Sequence, residues 1–524
     1  GRLLGSAARD AFVTSDRVLL AEGNSGAAPA SALRPEQRAR GYVLFSRDYH
    51  EAMPHSYQPS AADVGRPLWV WATPGEYEPA TFGVYALKAL QEARVTVSDL
   101  HREGGGGKIP AASVDVRLAR FWPQRAGSDA TRFRILPELL EAVQTANLPS
   151  TRISQYWLTL RVPETAAPGD YRGLVTLRAR NAPASSLKLL VKVLPFKLAR
   201  PKERTWCLYA DSRRWSSYSE NELAYELRDI KAHGLTSLVL SPLAHVPLRY
   251  EKERLAVDFG PLARLVAAYT RAGLHAPLVL DVRDLAEATA RARGGDATPG
   301  DAETRRLFTV FISELALRAA ADGWPDCLYQ VGADPTGPPV TAEALRPAVE
   351  ALRRAALSSL ALLSAPDAAQ KEGGALLDVP CYAPQALAGS AELAAAVQKA
   401  LRASGKAYWT YCLASGPTSA ANEGNVLVNR YLAGVGFLRS GAAGLWIASL
   451  QQPVGDPYND FDGPARDACL TYPTPNGQPL VPTIQWEGLR EGIDDAAYLH
   501  TFHQMVARMK ASPRPRVSNY ARQV

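Results

Sequence analysis

After Arg204, short apolar runs alternate with Ala/Leu/Arg-rich stretches of helical period, and this texture constrains the chain more than any other feature. Eight runs read as buried parallel strands: 205–210, 237–241, 276–280, 327–331, 360–364, 375–379, 407–412 and 444–449. Parallel strands are covered on both faces, so they are nearly continuous in apolar residues rather than alternating. Helical stretches such as 222–233 and 302–321 fill the gaps. Eight alternating units over about 250 residues predict an α/β (β/α)8 TIM-like barrel.

Before Arg204 the pattern differs. Segments such as Leu68-Trp69-Val70-Trp71-Ala72 and Tyr156-Trp157-Leu158-Thr159-Leu160-Arg161-Val162 alternate with period two and are separated by turn residues. That predicts an antiparallel β-sandwich over 41–195. The chain of 524 residues is thus multidomain: an extended N-terminal arm at 1–40, the sandwich, a linker at 196–204, the barrel at 205–500, and a C-terminal helix and tail at 501–524.

Composition narrows the function. The 59 Lys and Arg exceed the 52 Asp and Glu by seven, but the basic residues are scattered and form no recognition motif, which argues against nucleic acid. No apolar run reaches the roughly 20 residues of a membrane span. The eight histidines lack ligand spacing, and there is no phosphate-binding loop, dinucleotide fingerprint or nucleophile elbow, so neither metal nor cofactor is indicated. Cys207, Cys327, Cys381, Cys412 and Cys469 read as free core thiols, with Cys381–Cys412 as the alternative of a bridge. The start at Gly1-Arg2 reads as a processed N-terminus, the expectation for a secreted, periplasmic or cell-surface protein.

In a barrel of this kind the chemistry sits at the C-terminal ends of the strands. The fourth run, Cys327 to Val331, ends in Gly332-Ala333-Asp334-Pro335, which delivers the Asp334 carboxylate to that face. Asp before Pro also opens turns, so position alone leaves both readings open. Asp211, Asp281, Asp284 and Asp378 are expected at the same face, each as a cap or turn former or as a partner for Asp334. Tyr209, Tyr382, Trp409, Tyr411 and Trp446 fall near strand ends. Aromatic faces there are either core or a platform for sugar rings. The run Glu487, Arg490, Glu491, Asp494, Asp495 has helical spacing and reads as an intrahelical salt-bridge network closing the barrel.

Several longer stretches carry a resemblance. Gly75-Glu76-Tyr77-Glu78-Pro79-Ala80-Thr81-Phe82, the segment 156–163, Pro168-Gly169-Asp170-Tyr171-Arg172-Gly173 and Val481-Pro482-Thr483-Ile484-Gln485-Trp486-Glu487-Gly488-Leu489-Arg490-Glu491-Gly492-Ile493-Asp494-Asp495 resemble glycoside hydrolase family 123 and its relatives, in the family's order. The resemblance implies a sandwich followed by a barrel, and substrate-assisted retaining hydrolysis of β-N-acetylhexosaminides by an Asp-Glu pair after the fourth strand. In that scheme the Asp orients the acetamido group, whose oxygen attacks the anomeric carbon, and the Glu is acid and then base. Here the pair falls on Ala333-Asp334. Asp334 stands for the acid/base one methylene shorter, while a methyl at Ala333 neither orients nor charge-balances the acetamido group.

Two functions from different classes therefore stay open. One is an exo-acting glycoside hydrolase with altered or weakened activity, using Asp334 as acid/base and Tyr209, Asp211, Tyr382, Trp409, Tyr411 and Trp446 to hold the glycan. The other is a catalytically silent extracellular glycan-binding or structural subunit. Either takes a glycan or polysaccharide as partner, and a homo-oligomer or larger surface assembly is compatible with both.

Overall fold

The computed structural model describes residues 19–21, 33–125, 132–150, 152–332, 341–363, 374–383, 399, 403, 405–413, 426–462, 467–474 and 480–524. Eight parallel strands close into a barrel in chain order: Thr205–Tyr209, Ser237–Leu240, Leu278–Asp281, Cys327–Gln330, Ser358–Leu363, Val379–Tyr382, Trp409–Leu413 and Gly444–Ala448. The eighth pairs with the first, Cys207 opposite Trp446, which closes the ring. The sixth strand begins at Val379, where the sequence placed its end, because the Ala-Leu-rich stretch before it includes the helical turn Gly374–Leu376.

Helices cover the outside, and their starts are legible in the local chemistry. Ser219 and Glu222 form a reciprocal capping box on Glu220–Ala232, and Asp301 accepts from the Thr304 amide at 2.7 Å to cap Ala302–Ala321. Side chains alternate along each barrel strand. Leu208, Leu238, Leu280, Tyr329 and Ile447 pack outward against the helices. Cys207, Val239, Val279, Leu362 and Cys381 fill the interior. All five cysteines are free, and burial pushes the Cys207 and Cys412 thiols up to about 12, so they behave as small apolar fillers.

N-terminal to the barrel lie two sheets, of six and seven strands, mostly antiparallel. Phe82, Val84 and Leu158 from the first and Val70, Leu177 and Leu189 from the second belong to one buried apolar cluster. Within the stretch read as an extended arm, Leu19–Ala21 is a strand paired in parallel with Arg132–Arg134, and Pro35–Arg40 is a helix. At the other end the helix Ile484–Lys510 runs through position 500, and a further helix spans Pro515–Gln523.

The helix Ile484–Lys510 joins the sheets to the barrel. It comes close to the segment Leu427–Ser440 because it carries glycines there. A Cβ on Gly492 would lie 2.3 Å from the Arg430 carbonyl, and one on Gly488 would lie 2.8 Å from that of Val426. Its acidic and basic residues reach far beyond the helix, which corrects the purely intrahelical reading. Buried Glu487 pairs with Arg490 and accepts hydrogen bonds from Trp157 Nε1 at 3.3 Å and Thr159 Oγ1 at 3.0 Å, both on a sheet strand. His233 Nε2, from the barrel's outer layer, lies 3.4 Å from the other carboxylate oxygen, and its ring stacks on Trp486 at 4.2 Å. Burial would raise the Glu487 carboxyl, but Arg490 and His233 together hold it well below the usual range.

Glu76 behaves oppositely. Burial, only partly offset by the Thr73 amide, pushes its carboxyl up to about 7. Two outcomes are expected. Arg490→Met leaves Glu487 buried without its cation and should cost roughly 3–5 kcal/mol in denaturant unfolding. Because Glu76 is raised, its stabilising term is complete below the unfolded value near 4.5 and is lost as pH rises through about 7. Glu76→Gln should therefore flatten the pH dependence of stability across that window, by up to about 3 kcal/mol relative to the native chain.

Candidate active site

Alternation on the barrel strands decides which of the expected site residues can meet. Tyr209, Trp409, Tyr411 and Trp446 all point into the barrel interior. Tyr382 does not: it packs among the outward-facing residues, 2.5 Å from where a Cβ on Gly374 would stand. The cause is register, since Cys381 and Ala383 take the inward positions on the sixth strand and leave Tyr382 to the helix layer. Tyr382 is accordingly a core residue, not a wall of the site. Asp334, with Ala333 and Pro335, lies outside the described residues.

The inward aromatics form a connected group. The rings of Tyr209 and Trp446 lie 5.5 Å apart at 30°, and Trp446 Nε1 donates to Gln330 Oε1 at 3.1 Å. Tyr411 sits opposite Trp446 on the neighbouring strand, and Trp409 sits opposite Gly444. Gly444 is there because the Trp409 ring occupies the space a Cβ would need, at 2.2 Å. Trp409, Tyr411 and Trp446 are buried, whereas Tyr209 is half-buried at the C-terminal end of its strand. Gln330, at the end of the fourth strand, is fully buried, and its Nε2 has no hydrogen-bond partner among the described residues.

Around this group stand two acid–base pairs. Asp281 ends the third strand, opposite Gln330, and receives Arg283 Nε at 2.9 Å and Nη2 at 2.7 Å. Both partners are largely buried, so this bidentate pair is a fixed charge pattern and not a free carboxylate. Asp211 caps the short helix Ser212–Ser217 and is likewise held by Arg213, at 2.6 Å. Burial would raise Asp211, but hydrogen bonds from Arg213 pull it below the usual range. Tyr209 is raised by burial first and then by the nearby Asp281 charge, which ties the two pairs to the aromatic group.

His245, following the second strand, is buried, and its Nε2 has no hydrogen-bond partner among the described residues. Burial and Arg264 lower it to about 4, so it is neutral near pH 7. Sequence reasoning missed Arg283, Gln330 and His245. Only Asp281-x-Arg283, two residues apart across a strand end, offered a readable signal.

Asp378, expected at this face, lies at the opposite end of the barrel. It precedes the sixth strand and accepts from the Ser359 amide at 2.9 Å and hydroxyl at 2.7 Å, fastening the start of the fifth. Asp284 is the N-cap position of Leu285–Arg293, without a side-chain capping bond. Among the described residues no group of His, Cys, Asp or Glu is placed to hold a metal ion.

The closed eight-stranded barrel, with polar and aromatic residues gathered inside it, has a counterpart among solved structures. The chain is similar in fold to a family 123 glycoside hydrolase from Clostridium perfringens, described for glycolipid glycan hydrolysis, with a TM-score of 0.68 and 12% identity over 91% of each chain. A family 39 glycoside hydrolase from the gut symbiont Bacteroides cellulosilyticus WH2 also matches, at 14% identity over 83% of this chain and 82% of that one, but its TM-score of 0.41 carries no argument. No sequence-family profile and no curated protein matches.

Gly444→Ala should force the Trp409 indole out of its slot and cost roughly 1–3 kcal/mol, since overpacking an interior strains side chains and backbone. A thermal melt read alongside tryptophan fluorescence checks this; an unchanged melt with unchanged emission would show that the ring has room to yield.

Proposed function

We propose that this protein acts on or binds a glycan at the C-terminal mouth of the barrel, in the manner of an exo-acting glycoside hydrolase whose activity toward β-N-acetylhexosaminides is weakened. The observation that carries the proposal is the inward Tyr209–Trp446–Gln330 group, flanked by Asp281–Arg283. Aromatic rings suit the apolar face of a sugar, and fixed polar groups suit its hydroxyls. In this reading residues 41–195 are a β-sandwich domain, 196–204 the linker and 205–500 the barrel domain. Asp334 is the acid/base; Tyr209, Asp211, Tyr411 and Trp446 hold the glycan, while Trp409, the first residue of its strand, packs beneath them. The location proposed is secreted, periplasmic or cell-surface; no helix of the described residues is long and apolar enough to cross a membrane.

Weak activity follows from the pair Ala333-Asp334. A positioned general acid contributes about 10²–10⁴ in rate, and the charge-balancing group adds an electrostatic contribution that is often the largest. The second reading, a silent glycan-binding or assembly subunit, is favoured by Ala333 and by the two candidate carboxylates being tied to arginines.

Hydrolysis of a panel of aryl glycosides, including the N-acetyl-β-galactosaminide, distinguishes them. The native chain should turn over the N-acetyl substrate slowly or not at all. Ala333→Asp with Asp334→Glu together should raise the rate well beyond either change alone, because such pairs act as one unit. Fast native turnover that Asp334→Asn abolishes would overturn the weakened-site reading. Inactivity of both native chain and double variant would favour the silent subunit.

A further inference from the structure

A second site lies away from the barrel mouth, where the sheets meet the helix Ile484–Lys510. A cavity of about 210 Å³ there is lined by Trp71, Glu76, Glu78, Arg430, Glu491 and Tyr498, among others. Its charges do not balance. Arg430 is committed to Asp495, with both bonds at 2.7 Å, and Asp494 has Arg200 at 2.9 Å. Arg490 is paired with Glu487 and comes only to 3.7 Å of Glu491. Among the described residues Glu76 and Glu78 have no cation within ion-pair distance, and Glu491 has only the distant Arg490.

Two oxygens make the deficit specific. Glu76 Oε2 receives the Thr73 amide at 2.5 Å and the Tyr498 hydroxyl at 2.8 Å, but Oε1 has no hydrogen-bond partner among the described residues. Glu491 Oε1 likewise has no hydrogen bond among them, with Arg490 Nε no closer than 3.7 Å. Glu76 is 6% exposed and Glu491 2%, so water does not readily compensate them. Tyr49 Oη lies 3.2 Å from Glu491 and 3.4 Å from Glu78, linking those two carboxyls. The cavity is rich in acceptors and short of donors and positive charge. An ammonium group brings three donors and one compact charge.

Trp71 supplies the rest of the recognition. It is 63% exposed, on the outer face of the edge strand Leu68–Ala72, and Trp69, two residues earlier on the same face, is 61% exposed. Their separation along the strand is about 6.6 Å. Exposed paired indoles are poor surface residues unless a ligand covers them. An indole face attracts both a cation and the apolar face of a sugar ring. The cavity is smaller than a drug-sized pocket of about 300 Å³, which suits a single ring.

We propose that this cavity binds the ammonium group of a de-N-acetylated amino sugar, with its ring on Trp71 and the next ring of the chain toward Trp69. The inference is independent of hydrolysis at the barrel mouth. It also explains the state of the carboxyls. Burial brings Glu76 up to about 7, and burial and mutual repulsion raise Glu78 and Glu491, so an arriving ammonium favours the ionised carboxylates and its binding releases a proton from the group.

Calorimetry on the whole chain at pH 7 tests this with a glucosamine tetramer, its fully N-acetylated counterpart, cellotetraose and lysine methyl ester. The glucosamine tetramer should bind at least about tenfold more tightly than the others. Its heat should vary with buffer ionisation enthalpy in the sense of proton release. Trp71→Ala and Glu78→Gln should each weaken binding about tenfold or more with unchanged unfolding midpoints. Absent binding, equal binding of the N-acetylated tetramer, or indifference to Trp71→Ala would overturn the proposal. Lysine methyl ester binding as tightly would overturn the sugar assignment. Only the heat that Trp71→Ala or Glu78→Gln removes is assigned to this cavity, so glycan bound at the barrel mouth, active or silent, is subtracted.

Discussion

The buried pair of Glu487 and Arg490 is the interaction on which the arrangement of this protein depends. Both side chains are almost entirely removed from water, so neither tolerates the loss of the other. The Glu487 carboxylate is further contacted from different parts of the chain: Trp157 and Thr159 on a sheet strand, and His233 at the end of a barrel helix. A buried charge satisfied from two bodies at once is satisfied in one relative position of them. Gly488 and Gly492 allow the helix close enough for that to happen.

The stretches that carry the family resemblance converge on this junction. Glu76 and Glu78 come from the first motif and Glu487 to Asp495 from the last, and they meet some four hundred positions apart in sequence. What they encode is the docking of sheets on barrel, with an excess of carboxylates beside it. Likeness in fold at 12% identity fits this, since a junction of buried charges constrains architecture without constraining the chemistry at the strand ends.

At the barrel mouth the distinguishing feature is that two carboxylates are each clamped by an arginine two residues on. Carboxylates clamped in this way have a fixed orientation and a cation already in place. The aromatic group is rigid for a different reason. Trp409 is fitted over Gly444 and Trp446 is hydrogen-bonded to Gln330, so the rings keep their places through packing and one directed bond.

The sequence by itself determined the barrel, because eight apolar runs separated by capped helical stretches have few other ways to bury both faces of a parallel sheet. Of the aromatics read near strand ends, Tyr209 closes its strand, Tyr411 and Trp446 stand in the middle of theirs and Trp409 opens its own. Tertiary structure alone decided which way each side chain points. The period of a strand is two, and an uncertainty of a few residues in where the sixth strand begins is enough to send Tyr382 outward and Asp378 to the far end. The partners of Glu487, the clamp on Asp281 and the unmatched oxygens of Glu76 and Glu491 were likewise invisible beforehand. Charge balance in a buried place depends on residues from distant segments, and no local pattern records which of them arrive together.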